Sequence, residues 1–234
     1  MTLTKSAPKI TNAPMASGQI RDPRPLIKIG INKVFEGNFD EAEKQLNIAL
    51  ESDSKSPEVW YWLGIVHLAK GNREESLSAI SKAMENAETR NKNNTKYAEL
   101  HKRLYNTRAS RKRKMPAVFT RREAFSKADM KDEDIIILGE SFNKESTEKQ
   151  EKEKIEKEMQ KCYDSLSFDG ILIMRVQSKS AEKINGINQL LRKSSTWLGD
   201  MARSIGFDVV EAQLEQEIEV VIIAGKNHSQ AYDE

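Results

Sequence analysis

Shifted by 34 residues, the first half of the chain lies over itself. "PRPLIKIGINKVFEGNFDEAEKQLNIALE" (Pro23–Glu51) aligns with "PEVWYWLGIVHLAKGNREESLSAISKAME" (Pro57–Glu85), and 8 of 29 positions are identical. A period of this length predicts a stacked helical array in which each unit buries its apolar face against the next. The local chemistry agrees. Asp22 and Ser56 stand where a helix N-cap belongs, each followed by a proline. Gly37-Asn38 and Gly71-Asn72 close the first helix of each pair with residues that tolerate left-handed backbone. Gly30 and Gly64 fall inside helices, where glycine costs roughly 1 kcal/mol against alanine. That cost is understandable if a second helix crosses closely there, as the small residues Ala42, Ala49 and Ala83 also suggest.

The spacing Trp60, Leu63, Gly64, with Ala42 or Ser76, Leu46 or Ile80, and Ala49 or Ala83 on the second helix, resembles the tetratricopeptide repeat family. The resemblance covers residues 22–88, and the second copy is the more typical. Leu26 replaces the family's tryptophan, and Lys33 or His67 stands where an aromatic is usual. Residues 89–115 read as a capping helix, "NTKYAELHKRLYN", running into a basic connector. The resemblance implies a concave groove on the first helices that binds a protein or peptide, with Ile27, Ile31, Val34, Tyr61, Ile65 and Leu68 as its lining. So apolar a stripe would suit either a partner segment or coverage by the chain's own capping helix or C-terminal half.

Lys102–Arg122 carries nine Lys or Arg and no acid, densest at Arg108, Arg111, Lys112, Arg113 and Lys114. Such a run binds phosphate backbones or acidic surfaces, passes for a nuclear-targeting sequence, or simply solvates a helix end. Aromatics are sparse there, which does not support sequence-specific nucleic-acid recognition and leaves nucleic acid a possible but unfavoured partner.

The pattern then changes period. "DEDIIILGESF" and "DGILIMRV" are continuous apolar runs that predict strands buried on both faces. The charged stretch Asn143–Leu166 and the stretch Ser180–Phe207 predict intervening helices. "FDVVEAQL" and "EIEVVIIAGK" are close enough to pair antiparallel. In order and turns, residues 116–226 resemble the C-terminal half of class I S-adenosylmethionine-dependent methyltransferases. The expected fold is therefore a short helical-repeat solenoid (α) followed by a small, incomplete Rossmann-like α/β sheet closed by an antiparallel hairpin, with residues 1–21 and 227–234 as flexible ends.

The resemblance implies S-adenosylmethionine as cofactor, but the sequence departs from the family where that cofactor binds. Among its 11 glycines no two are separated by a single residue, so no glycine-rich phosphate or ribose turn exists. The 3 histidines and the single Cys162 are scattered, which suggests neither a metal site nor a Cys–His pair. Glu140 and Ser141, at the carboxyl end of a strand, are the remaining low-prior candidates.

The functional expectation is a protein–protein interaction scaffold with no cofactor and an inactive methyltransferase-like half. The alternatives are a methyltransferase completed in trans or using a remodelled site, and a nucleic-acid accessory protein using the basic run. The strand Asp134–Leu138 would be an open edge, predicting self-association or coverage by the connector. No run of about 18 apolar residues exists and no secretory leader is evident, so a cytoplasmic, non-membrane protein is expected.

Overall fold

The computed structural model describes residues 22–106, 116–120, 122–141, 148–177, 195–215 and 219–226. Five helices come first: α1 (Arg24–Phe35), α2 (Phe39–Ser52), α3 (Pro57–Ala69), α4 (Arg73–Thr89) and α5 (Thr95–Asn106). After them come β1 (Ala117–Phe119), α6 (Arg122–Lys127), β2 (Glu133–Ser141), α7 (Glu148–Ser165), β3 (Leu166–Gln177), α8 (Ser195–Ile205), β4 (Phe207–Glu215) and β5 (Glu219–Lys226). The expected architecture, helical hairpins followed by an open α/β region, is what the chain adopts.

The repeat chemistry explains the helical hairpins. Ser56 Oγ accepts the Val59 N–H at 3.5 Å, and the Asp22 carboxylate accepts the Arg24 N–H at 3.1 Å. Gly37 and Gly71 turn the chain at φ 74° and 81°, a region that costs any residue with a Cβ. Gly30 and Gly64 are where paired helices touch. A Cβ on Gly64 would stand 2.5 Å from Ile80 Cγ1, and one on Gly30 would stand 2.8 Å from Leu46 Cγ. Ser76 Oγ spans the second contact by donating to the Gly64 carbonyl at 2.7 Å. Helix α3 is buried nearly all round, as befits the middle inner helix of a stack. Helix α5 closes it with Tyr97, Leu100 and Leu104 buried. Arg73 binds the Leu104 carbonyl at 2.6 Å and the Tyr105 carbonyl at 3.1 Å, which ties the last described turn of α5 to α4.

A salt bridge also ties successive units together. Arg90 after α4 grips both oxygens of Asp53 after α2, at 2.7 and 3.0 Å. The Arg90 hydrogen bond is the main cause that lowers the Asp53 pKa below its ordinary 3.8. A depressed carboxylate pKa contributes stability that is complete above the ordinary value and lost as pH falls through the folded-state value. Asp53→Asn is therefore expected to cost less than about 1 kcal/mol near neutrality and to flatten the fall of stability in acid. Urea midpoints of the two proteins, compared at neutral pH and below about pH 4, check this: their difference should shrink in acid.

The sheet has the order β1-β2-β3-β5-β4. β1, β2 and β3 run parallel, and β5 is antiparallel to both β3 and β4. The expected hairpin is present, with β5 inserted between β3 and β4. β3 starts earlier than its apolar run. Leu166 pairs with Glu133, and the regular ladder resumes at Ile135 and Ile171. Asp134–Leu138 is not an edge. Ala117–Phe119, emerging from the end of the basic connector, pair with Ile136–Leu138, so the edge position passes to a strand of three residues.

Strand alternation sorts the apolar runs onto two faces. Ile135, Ile137, Ile171, Ile173 and Ile223 share one buried cluster with the helical repeats. Ile136, Leu138, Leu172, Met174, Val176 and Ala224 share another with α6, α7 and α8, through Phe125, Ile155, Met159, Cys162, Leu198 and Ala202. The molecule is thus three layers: helical stack, sheet, crossover helices. At roughly 1.5–3 kcal/mol for each fully buried aliphatic side chain, the five isoleucines facing the stack form a principal bond between the two halves. Helix α7 is not wholly solvated, since Glu151 and Glu158 are buried on it.

Candidate functional site

The six residues expected to line a partner groove are Ile27, Ile31, Val34, Tyr61, Ile65 and Leu68. None is more than 7% exposed. They belong to the cluster that holds the sheet isoleucines and the buried face of α5, with the Tyr61 ring 5.1 Å from that of Tyr97, so of the two occupants expected for the stripe it is the chain itself that buries it. The physical reason is that a sheet with crossover helices on one face needs a second layer on the other, and the inner helices supply it.

Polar contacts fix the register of the two layers. From β3, Arg175 Nη1 donates to Asn32 Oδ1 on α1 at 2.6 Å, and the guanidinium lies 4.5 Å from the centroid of the Phe35 ring. From α5, Arg103 pairs with Asp208 of β4 at 2.5 Å and packs over Gly225 of β5. The α1–α2 corner sits over the sheet, with Gly37 against Val118 of β1 and Phe35 against Gly139 of β2. None of these partners is evident in the sequence. A lone arginine inside "DGILIMRV" was the one available signal that this strand meets a polar group.

The carboxyl ends of β1, β2 and β3 are where an open α/β sheet would hold a ligand. Thr120 and Arg121 join β1 to α6, with no glycine to permit close backbone approach. Such a crevice also needs successive crossovers on opposite faces. Here the order β1-β2-β3 advances in one direction, and α6, α7 and α8 all pack on the same face. Among the described residues, neither the β1–α6 junction nor the strand order β1-β2-β3 offers S-adenosylmethionine such a crevice. Glu140 and Ser141 end β2 opposite Val176 and Gln177, but their side chains lie outside the described residues. So do Arg108, Arg111, Lys112, Arg113 and Lys114. Among the described residues no group of His, Cys, Asp and Glu is arranged to hold a metal ion, and no helix is long and apolar enough to cross a membrane.

The described residues therefore define a three-layer body in which a helical stack roofs a mixed sheet. Compared with protein-family models and with curated proteins, the chain matches none.

Proposed function

We propose that this protein is a non-catalytic interaction scaffold, built from two tetratricopeptide-like repeats fused to half of a methyltransferase-like sheet. The observation that carries this reading is the placement of every described crossover helix on one face of the sheet, with the repeats on the other. That arrangement removes the strand-order reversal from which α/β enzymes form their ligand crevice. With the inner stripe covered, partner proteins would contact the outer helices α2 and α4. The sheet edges are poor sites for a second copy: β1 has three residues, while β4 carries Asp208, Glu211 and Glu215 and a register shift between Val209 and Glu211. Short, acidic and bulged edges resist strand addition.

Calorimetric titration of the full chain with S-adenosylmethionine is the decisive experiment. No heat of binding is expected at ligand concentrations up to about 1 mM, the upper end of ordinary enzyme affinities. Micromolar binding would overturn the proposal and favour a methyltransferase with a remodelled site. Cross-linking in the protein's native extract should place partner contacts at the exposed Lys44 of α2 and Lys82 of α4.

A further inference from the structure

The helical stack has a direction, and its two ends differ. Ile29, Leu63 and Tyr97 occupy the same position on the successive inner helices α1, α3 and α5, spaced by the 34-residue period. The Tyr97 ring meets that of Tyr61 on α3 edge to face, so this position looks back along the stack toward the preceding unit. Leu63 is 3% exposed and Tyr97 5%, whereas Ile29 is 42% exposed. One turn earlier the contrast repeats: Val59 on α3 is fully buried, and the matching Pro25 on α1 is exposed. Helix α1 therefore presents a receiving face that is filled on the next two inner helices and open on the first.

The opposite end is built otherwise. Tyr61, Ile65 and Leu68 look forward from α3 and are buried. The matching positions on α5 are Thr95, Glu99 and Lys102, all exposed, and polar residues are what the last unit of an array needs. One turn past Lys102 stands Tyr105, 71% exposed. Its ring is stacked on that of His101, with planes inclined by 12°, and Arg73 holds its carbonyl. Ile29 and Tyr105 are the two exposed large hydrophobic side chains among the described residues, and they stand on the first and the last inner helix.

We infer that copies of this chain associate head to tail, the open face of α1 in one copy receiving the α5 end of the next, with Tyr105 against Ile29 and Pro25. Two unlike patches at opposite ends fit a heterologous contact, whereas a two-fold contact needs a single patch that meets itself. The rims carry both signs, with Lys33 and Glu36 one to two turns from Ile29 and Glu99 and Lys102 one to two turns from Tyr105, so charge does not oppose the contact. The sheet edges take no part, and the inference does not depend on the scaffold reading.

Sedimentation equilibrium of the full chain tests it. The contact lies at the small end of protein interfaces, so a Kd between about 1 µM and about 1 mM is expected. Over that range the weight-average mass should climb past that of a dimer, because each added copy leaves an end open for another. Tyr105→Glu should stay monomeric and keep the wild-type thermal midpoint, since the side chain is exposed. Ile29→Glu should stay monomeric as well. An equimolar mixture of the two variants should form a dimer and nothing larger, because each supplies the end that the other lacks. A wild type that is monomeric up to about 1 mM, or one whose association survives Tyr105→Glu, would overturn the inference. So would a mixture that fails to associate, which would identify a two-fold contact. If the wild type is monomeric and removal of residues 1–21 lowers its thermal midpoint, the head-to-tail contact is refuted and that segment is the cover of α1.

Discussion

Replacing Ile173 with Asp is expected to unfold the helical repeats together with the sheet. Ile173 is fully buried and belongs to the cluster shared by both halves. An unpaired carboxylate there costs several kcal/mol, a large share of the roughly 5–15 kcal/mol that holds a typical domain folded. Ile173→Ala gives a graded form of the test, with a loss of about 2–5 kcal/mol. Circular dichroism at the helix band reports mostly on the stack and its neighbours, while Trp60 and Trp62 lie on α3 and Trp197 on α8. All these probes should shift to one lower midpoint in a single transition. A helical transition that stays in place while the Trp197 signal moves would show that the stack folds on its own and would refute the shared core.

The second large effect is expected at Gly64. A Cβ there would stand 2.5 Å from Ile80 Cγ1 and 3.3 Å from the Ser76 carbonyl oxygen. Ile80 is itself fully buried and has little room to retreat in a close-packed interior. Gly64→Ala would gain about 1 kcal/mol in helix propensity but lose about 1–3 kcal/mol to overpacking, a net loss of up to about 2 kcal/mol. Gly64→Val adds two more methyl groups to the same crossing and should cost more than the alanine variant. The double variant Gly64→Ala/Ile80→Val, which thins the facing side chain, should recover part of the loss. Urea denaturation of the wild type, Gly64→Ala, Ile80→Val and the double variant measures the coupling directly, and strict additivity would show that the crossing is not the cause.

Much of this was legible in the sequence because period carries physical meaning. The 34-residue offset located both hairpins, and the helical glycines marked where they touch. The run Ile135–Leu138 read as buried on both faces, and its residues do divide between the two cores. The stripe from Ile27 to Leu68 was readable as apolar, but an apolar stripe records only that something covers it. The occupant is set by contacts between distant segments, such as Arg175 with Asn32, that no local pattern encodes. β1 escaped notice because three residues are too few to show a period. Tyr105 was visible as a residue, but its exposure and its clamp by Arg73 depend on how α5 meets α4. For the basic run, charge was legible and geometry was not.

The two interlayer contacts of arginine have a consequence for how this chain can vary. One joins the first inner helix, α1, to β3, and the other joins the third, α5, to β4. Ordinary repeat arrays lengthen or shorten by whole units because each unit touches only its neighbours. Here the width of the sheet acts as a ruler for the stack. A duplicated unit would carry α5 past β4, and a deleted one would leave the isoleucine face bare, so the number of inner helices is held at three.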